Sequence, residues 1–81
     1  MAKPSPSHAG DHLLVGLGGA IRAARIGSDL SQESLAVDAG LDRSYVGGIE
    51  RGEHNITIVN IKKIADALGT HPSNLLRAAG Y

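Results

Sequence analysis

The stretch Leu30-Ser31-Gln32-Glu33-Ser34-Leu35-Ala36-Val37-Asp38-Ala39-Gly40-Leu41-Asp42-Arg43-Ser44-Tyr45-Val46-Gly47-Gly48-Ile49-Glu50-Arg51-Gly52 decides the architecture of this chain. Ser31 precedes a run in which Leu35, Ala36 and Ala39 recur at helical spacing. Its hydroxyl suits the N-cap, where it accepts a free backbone N–H, and Glu33 complements the positive end of the helix dipole. Gly40 falls just past the last apolar position, where a left-handed residue closes a helix. Asp42 then stands as the cap of another short helix, Arg43 to about Arg51, with Val46 and Ile49 inward and Gly52 at its stop. Two short helices with glycine in the joint form a helix-turn-helix pattern. The spacing leaves Arg43, Ser44, Gly47, Gly48 and Arg51 on the outward face of the second of them. An exposed helix that begins with Arg and Ser is an element able to enter a DNA major groove.

On the N-terminal side, Leu13, Leu14, Leu17, Ala20, Ile21 and Ala24 recur at spacings of three and four, which predicts a helix from Asp11 or His12 to about Ile26-Gly27. Gly16, Gly18 and Gly19 each cost it up to about 1 kcal/mol relative to Ala, so its stability must come from packing. These glycines do not complete a dinucleotide-binding fingerprint, because the last glycine and a preceding strand are missing. On the C-terminal side, Thr57 caps a helix with the inward stripe Ile58, Ile61, Ile64, Ala65 and Leu68, and Gly69 ends it. Pro72 fits the first turn of a fifth helix, which Leu75, Leu76 and Ala79 make apolar on one side. No strand of useful length is predicted. The expected fold is all-α: a compact five-helix bundle with a helix-turn-helix unit over residues 11–81, preceded by a polar, mobile arm over residues 1–10 that holds two of the three prolines.

The chain has 81 residues, eight Lys and Arg against eight Asp and Glu, and no Cys, Trp or Phe. A chain this short supports one modest core, burying about 60 to 65 per cent of its unfolded surface. The absence of cysteine excludes a disulfide framework, thiolate zinc sites and a thiol nucleophile. The four histidines are scattered and read as no metal site. The longest apolar stretch falls short of the roughly 20 residues that span a membrane, and the N-terminus carries no signal-peptide pattern, so a cytoplasmic protein is expected. No nucleophile–base pair, phosphate loop or cofactor motif is readable, which argues against an enzyme, a cofactor or a small-molecule substrate.

Taken together, Leu17-Gly18, Ile21-Arg22 with Arg25, Leu30 to Ala36, Gly40-Leu41, Ile49-Glu50-Arg51-Gly52 and Ile64-Ala65-Asp66-Ala67-Leu68-Gly69 resemble the helix-turn-helix family of phage repressor and Cro-like regulators. The resemblance covers nearly all of residues 13–79. Within that family, the string Leu41 to Gly52 followed by Asn55-Ile56-Thr57-Ile58 looks most like the small dimeric controller proteins of restriction-modification systems.

The resemblance implies a lambda-repressor-like DNA-binding domain whose third helix reads base edges. Arg43 and Ser44 lead that role, since Arg can bond guanine O6 and N7 together and a Ser hydroxyl can serve several bases. Phosphate or solvent for Arg43, and its own helix end for Ser44, are the bland alternatives. Gly47-Gly48 departs from most of the family. Either these residues allow close backbone approach, which puts Gly48 among the base-reading positions, or reading rests on the N-terminal end alone. On the second reading Gly48→Ala should raise stability. Gln32, Tyr45, Arg51, His54, Asn55 and Thr57 match positions that meet the DNA backbone; for Tyr45 packing is an equal alternative, and for His54 an idle loop residue is the simpler reading. The resemblance also pairs Arg25 with Glu50 as a partly buried structural ion pair.

The function that follows is a sequence-specific transcriptional regulator, a homodimer on palindromic double-stranded DNA, with Leu75, Leu76 and Ala79 as the dimer surface unless they complete the monomer core. An antitoxin or other protein-interaction module on the same fold is the alternative, and a neighbouring toxin gene would mark it. Zero net charge does not oppose DNA binding, because neutral donors and helix N-termini can meet phosphates. It does predict weak non-specific affinity and a shallow salt dependence.

Overall fold

A computed structural model describes residues 9–81. Helix α1 spans His12–Gly27, α2 Gln32–Ala39, α3 Arg43–Glu50, α4 Ile58–Ala67 and α5 Pro72–Ala78, with no strand among the described residues. The arm expected over residues 1–10 lies, up to residue 8, outside the described residues. Gly10 forms a turn whose N–H donates to the Gly52 carbonyl at 2.9 Å, so this part of the segment is docked.

The helix starts follow the side-chain chemistry in three cases. Asp11 accepts the Leu13 N–H at 2.9 Å, Ser31 the Ser34 N–H at 3.0 Å, and Thr57 the Asn60 N–H at 3.1 Å. At Asp42 the backbone has the cap conformation and the carboxylate accepts the Ser44 hydroxyl. That hydroxyl holds the Asp42 carboxyl below the usual carboxylate range. Closure of α2 uses Gly40 at φ 69°, with the Leu41 N–H donating to the Ala36 carbonyl at 2.8 Å. Such a φ places a side chain against the backbone, and glycine has none to place.

The core gathers one face of every helix: Leu17 and Ile21 from α1, Leu35 and Ala36 from α2, Val46 and Ile49 from α3, Ile61 and Ile64 from α4, and Leu75 from α5. Ile21, Leu35, Val46 and Ile64 carry the centre. Ile58 leaves the predicted stripe of α4. It is 72% exposed, because the first turn of α4 overhangs the core that Ile61 enters. Leu75 is only 3% exposed and belongs to the monomer core, with Leu76 and Ala79 packed partly against it. Of the three, Leu75 thus serves the monomer core, while Leu76 and Ala79 keep part of their surface exposed.

The glycines of α1 have separate explanations. A Cβ on Gly19 would meet open space, whereas one on Gly18 would lie 2.3 Å from the Ile49 carbonyl oxygen and 2.7 Å from that of Glu50. Gly18 is thus the point where α1 passes over the end of α3, close against the main-chain carbonyls of Ile49 and Glu50. Because both opposing atoms are main chain, they cannot turn aside. Gly18→Ala is expected to cost about 2–3 kcal/mol net of its helix-propensity gain, lowering the melting temperature by roughly 10–20 °C, while Gly19→Ala stabilises. Thermal unfolding of the two variants checks the contrast.

Candidate nucleic-acid interface

Helix α3 is anchored at its C-terminal end. Arg25 of α1 donates through Nε to Glu50 Oε2 at 2.7 Å and through Nη2 to Oε1 at 3.1 Å, and its Nη1 donates to the Leu30 carbonyl at 2.9 Å. Gln32 of α2 adds Nε2–H to Glu50 Oε1 at 3.1 Å. The Glu50 side chain is 2% exposed and that of Arg25 12%. A carboxylate on the last turn of a helix faces the negative end of the dipole, so the Arg25 fork and the Gln32 amide both offset an unfavourable placement. The same carboxylate pushes the Arg25 guanidinium further up, against the opposing effect of burial. Gln32, expected at a phosphate, thus directs one amide N–H to Glu50 and is half-buried. Its amide lies over Gly47, where a Cβ would come 3.5 Å from Oε1.

Gly47 and Gly48 are both buried, which overturns the expectation that they face outward. Gly48 is covered by His54: a Cβ there would fall 2.4 Å from Nε2 and 2.6 Å from Cδ2 of the imidazole. His54 is 6% exposed and lies against Tyr45, ring centroids 4.9 Å apart. Neither Gly48 as a base-reading position nor His54 as a backbone contact matches this placement, because each covers the other. The loop reaches back over α3 through Gly52 at φ 76°, whose successor Glu53 donates its N–H to the Gly48 carbonyl at 2.9 Å. Sequence reasoning missed this fold-back, because nothing local distinguishes a loop histidine that returns to its helix from one that points to solvent.

The N-terminal end of α3 stays open. Arg43 is exposed and makes no ion pair among the described residues, Ser44 is half-buried beside Asp42, and Tyr45 is half-buried with its hydroxyl accepting the Asn60 Nδ2–H at 3.1 Å. Arg51 is exposed but forked onto Glu53, Nε to Oε2 at 2.8 Å and Nη2 to Oε1 at 3.2 Å, and this contact holds the Glu53 carboxyl below the usual range. Asn55 and Thr57 are exposed on the following loop. The structure therefore brings Arg43, Ser44 and Tyr45 together at one helix end and sets Arg51, Asn55 and Thr57 beyond the other.

Two short helices joined at Gly40, the second locked to the first and to α1 with one end free, make this a helix-turn-helix protein. The helix-turn-helix family profile matches residues 21–75, and the chain belongs to that family. Its relatives include restriction-modification controllers. It is 53% identical to the controller protein C.AhdI from Aeromonas hydrophila, whose crystal structure superposes with a TM-score of 0.75 over 76% of this chain and 94% of that one. It is 42% identical over 60 residues to the control protein C.SmaI of Serratia marcescens, covering 74% of this chain and 71% of that protein. To the control protein C.BamHI of Bacillus amyloliquefaciens it is 49% identical over 49 residues, spanning 60% of each chain.

Removal of either partner of the Glu50 cluster strands a buried charge. Arg25→Met and Glu50→Leu are each expected to cost about 3–5 kcal/mol, and the double variant to cost less than their sum by more than about 1 kcal/mol. Urea unfolding of the four proteins checks this, and strict additivity would remove the pair as the anchor. Gly48→Ala gains about 1 kcal/mol of helix propensity but drives the imidazole off Tyr45. A net loss of about 1 kcal/mol is expected in the same assay, the reverse of what helix propensity alone predicts.

Proposed function

We propose that this chain is a sequence-specific DNA-binding transcriptional regulator, acting in the cytoplasm as a homodimer on a palindromic operator and serving as a restriction-modification controller. It is a binding protein and not an enzyme. The observation that carries the reading is the free N-terminal end of α3, with Arg43 exposed on a helix held at its other end by a buried ion pair. A rigid mount is what base reading needs, since a bidentate Arg–guanine contact tolerates little error in position. The family membership and the controller relatives support the same class.

In this reading Arg43 meets a guanine edge and Ser44 an adjoining base, while Tyr45, Arg51, Asn55 and Thr57 face the sugar-phosphate backbone. Gln32 acts indirectly, through Glu50. Dimerisation is assigned to the exposed apolar pair Ile58 and Val59 at the start of α4, 72% and 63% exposed, in place of the buried α5 leucine. These residues follow the α3 loop directly, so pairing there would set the spacing of two recognition helices.

Selection of duplexes from a random pool tests the function. The wild type is expected to enrich a palindrome bound by two protomers. Arg43→Ala, folded by circular dichroism, is expected to bind it about 1–3 kcal/mol more weakly and to lose preference at one base pair per half-site. Enrichment of no sequence, or unchanged selection by Arg43→Ala, would overturn the function or the reader respectively.

A further inference from the structure

Tyr45 is gripped from two sides. Its ring lies against the buried His54 imidazole at a tilt of 57°, and its hydroxyl oxygen accepts the Asn60 Nδ2–H at 3.1 Å. Asn60 is fixed in the first turn of α4, its backbone N–H donating to Thr57 Oγ1 at 3.1 Å. His54 reaches the ring because Gly48 has no side chain in its way. Residues of α3, the following loop and α4 thus converge on one phenol, which sits in the first turn of α3 next to Arg43 and Ser44 and is still half-buried. Packing alone would account for the ring. It does not account for the hydroxyl, since a core phenyl group needs no amide beside it.

A phenol carries one hydrogen and two lone pairs. With Asn60 donating to one lone pair, the hydroxyl hydrogen is left for an acceptor other than Asn60. Accepting a hydrogen bond also polarises the O–H and makes it a better donor. A phosphodiester oxygen is an acceptor only, so it matches a hydroxyl whose donor is the group left over. A neutral donor of this kind adds affinity without releasing a counterion, in keeping with a chain of zero net charge.

We propose that Asn60 and His54 are positioning residues that hold the Tyr45 hydroxyl as a hydrogen-bond donor to one DNA phosphate beside the bases met by Arg43. The inference rests on the DNA-binding reading above. Its test is a double-mutant cycle on the selected operator duplex, with affinity measured by titration and folding by thermal unfolding. Tyr45→Phe is expected to weaken binding about tenfold, as for a lost hydrogen bond to a charged acceptor, with the salt dependence unchanged. Asn60→Ala keeps its backbone bond to Thr57 and is expected to weaken binding several-fold, yet to add nothing in the Tyr45→Phe background. His54→Ala should behave in the same way, and where it lowers stability as well, Asn60→Ala alone decides. A scan of single methylphosphonates along one half-site should locate one position that weakens the wild type but neither Tyr45→Phe nor Asn60→Ala. Additive losses, a changed salt slope for Tyr45→Phe, or no such position would overturn the positioning roles while leaving wild-type DNA binding intact. A wild type that selects no duplex would overturn the DNA-binding reading itself.

Discussion

The carboxylate of Glu50 is the constraint on which the arrangement of helices depends. It sits on the last turn of α3, 2% exposed, where both burial and the helix dipole oppose a negative charge. Its presence there is tolerable only because Arg25 brings two donors from α1 and Gln32 a third from α2. The net stability from such a cluster is small, since desolvation cancels most of the attraction. Its consequence is geometric. Three helices share one pair of oxygen atoms, and any displacement of α3 leaves a buried charge short of partners. Apolar packing of Val46 and Ile49 holds α3 to the core but resists sliding and rotation less sharply, because dispersion contacts are many and individually weak.

Around that anchor, absent side chains do as much as those present. At Gly18 the backbone of α1 passes the carbonyls of Ile49 and Glu50, which brings Arg25 within reach of the carboxylate further along the same helix. At Gly47 the Gln32 amide crosses the helix, and at Gly48 the imidazole of His54 fills the space. Helix α3 is therefore thin in the middle: its central surface is covered by residues from α2 and from its own trailing loop. At the N-terminal turn Arg43 is exposed, with Ser44 and Tyr45 half-buried beside it.

Much of this was legible in the sequence. The helix boundaries followed from Ser31, Thr57, Gly40 and Gly69, since caps and left-handed closures are local chemistry and depend on few neighbours. The core stripes of α1, α2 and α3 followed from their period, and the Arg25–Glu50 contact from resemblance to a family. The misreadings share one cause. Gly47 and Gly48 were placed outward by helical periodicity, which reports where a Cβ would point and not what folds over it. Ile58 fits an inward stripe by spacing yet is 72% exposed, and spacing shows neither the contact of Gln32 with Glu50 nor that of His54 with Tyr45. Nothing in the sequence signalled that Asn60 would reach Tyr45 across fifteen positions.

The sequence by itself determined five helices, their ends, the helix-turn-helix joint at Gly40 and the presence of Arg and Ser at the start of α3. These are consequences of backbone chemistry and short-range spacing, which act before distant parts of the chain meet. Tertiary structure alone decided which end of α3 is open, that Gln32 bonds Glu50, and that His54 is buried against Tyr45. Those outcomes depend on long-range donors finding a buried carboxylate and on a loop finding the recess above Gly48. A linear pattern of residues does not record how near two backbones come, as at Gly18, or what folds over a helix, as at Gly48.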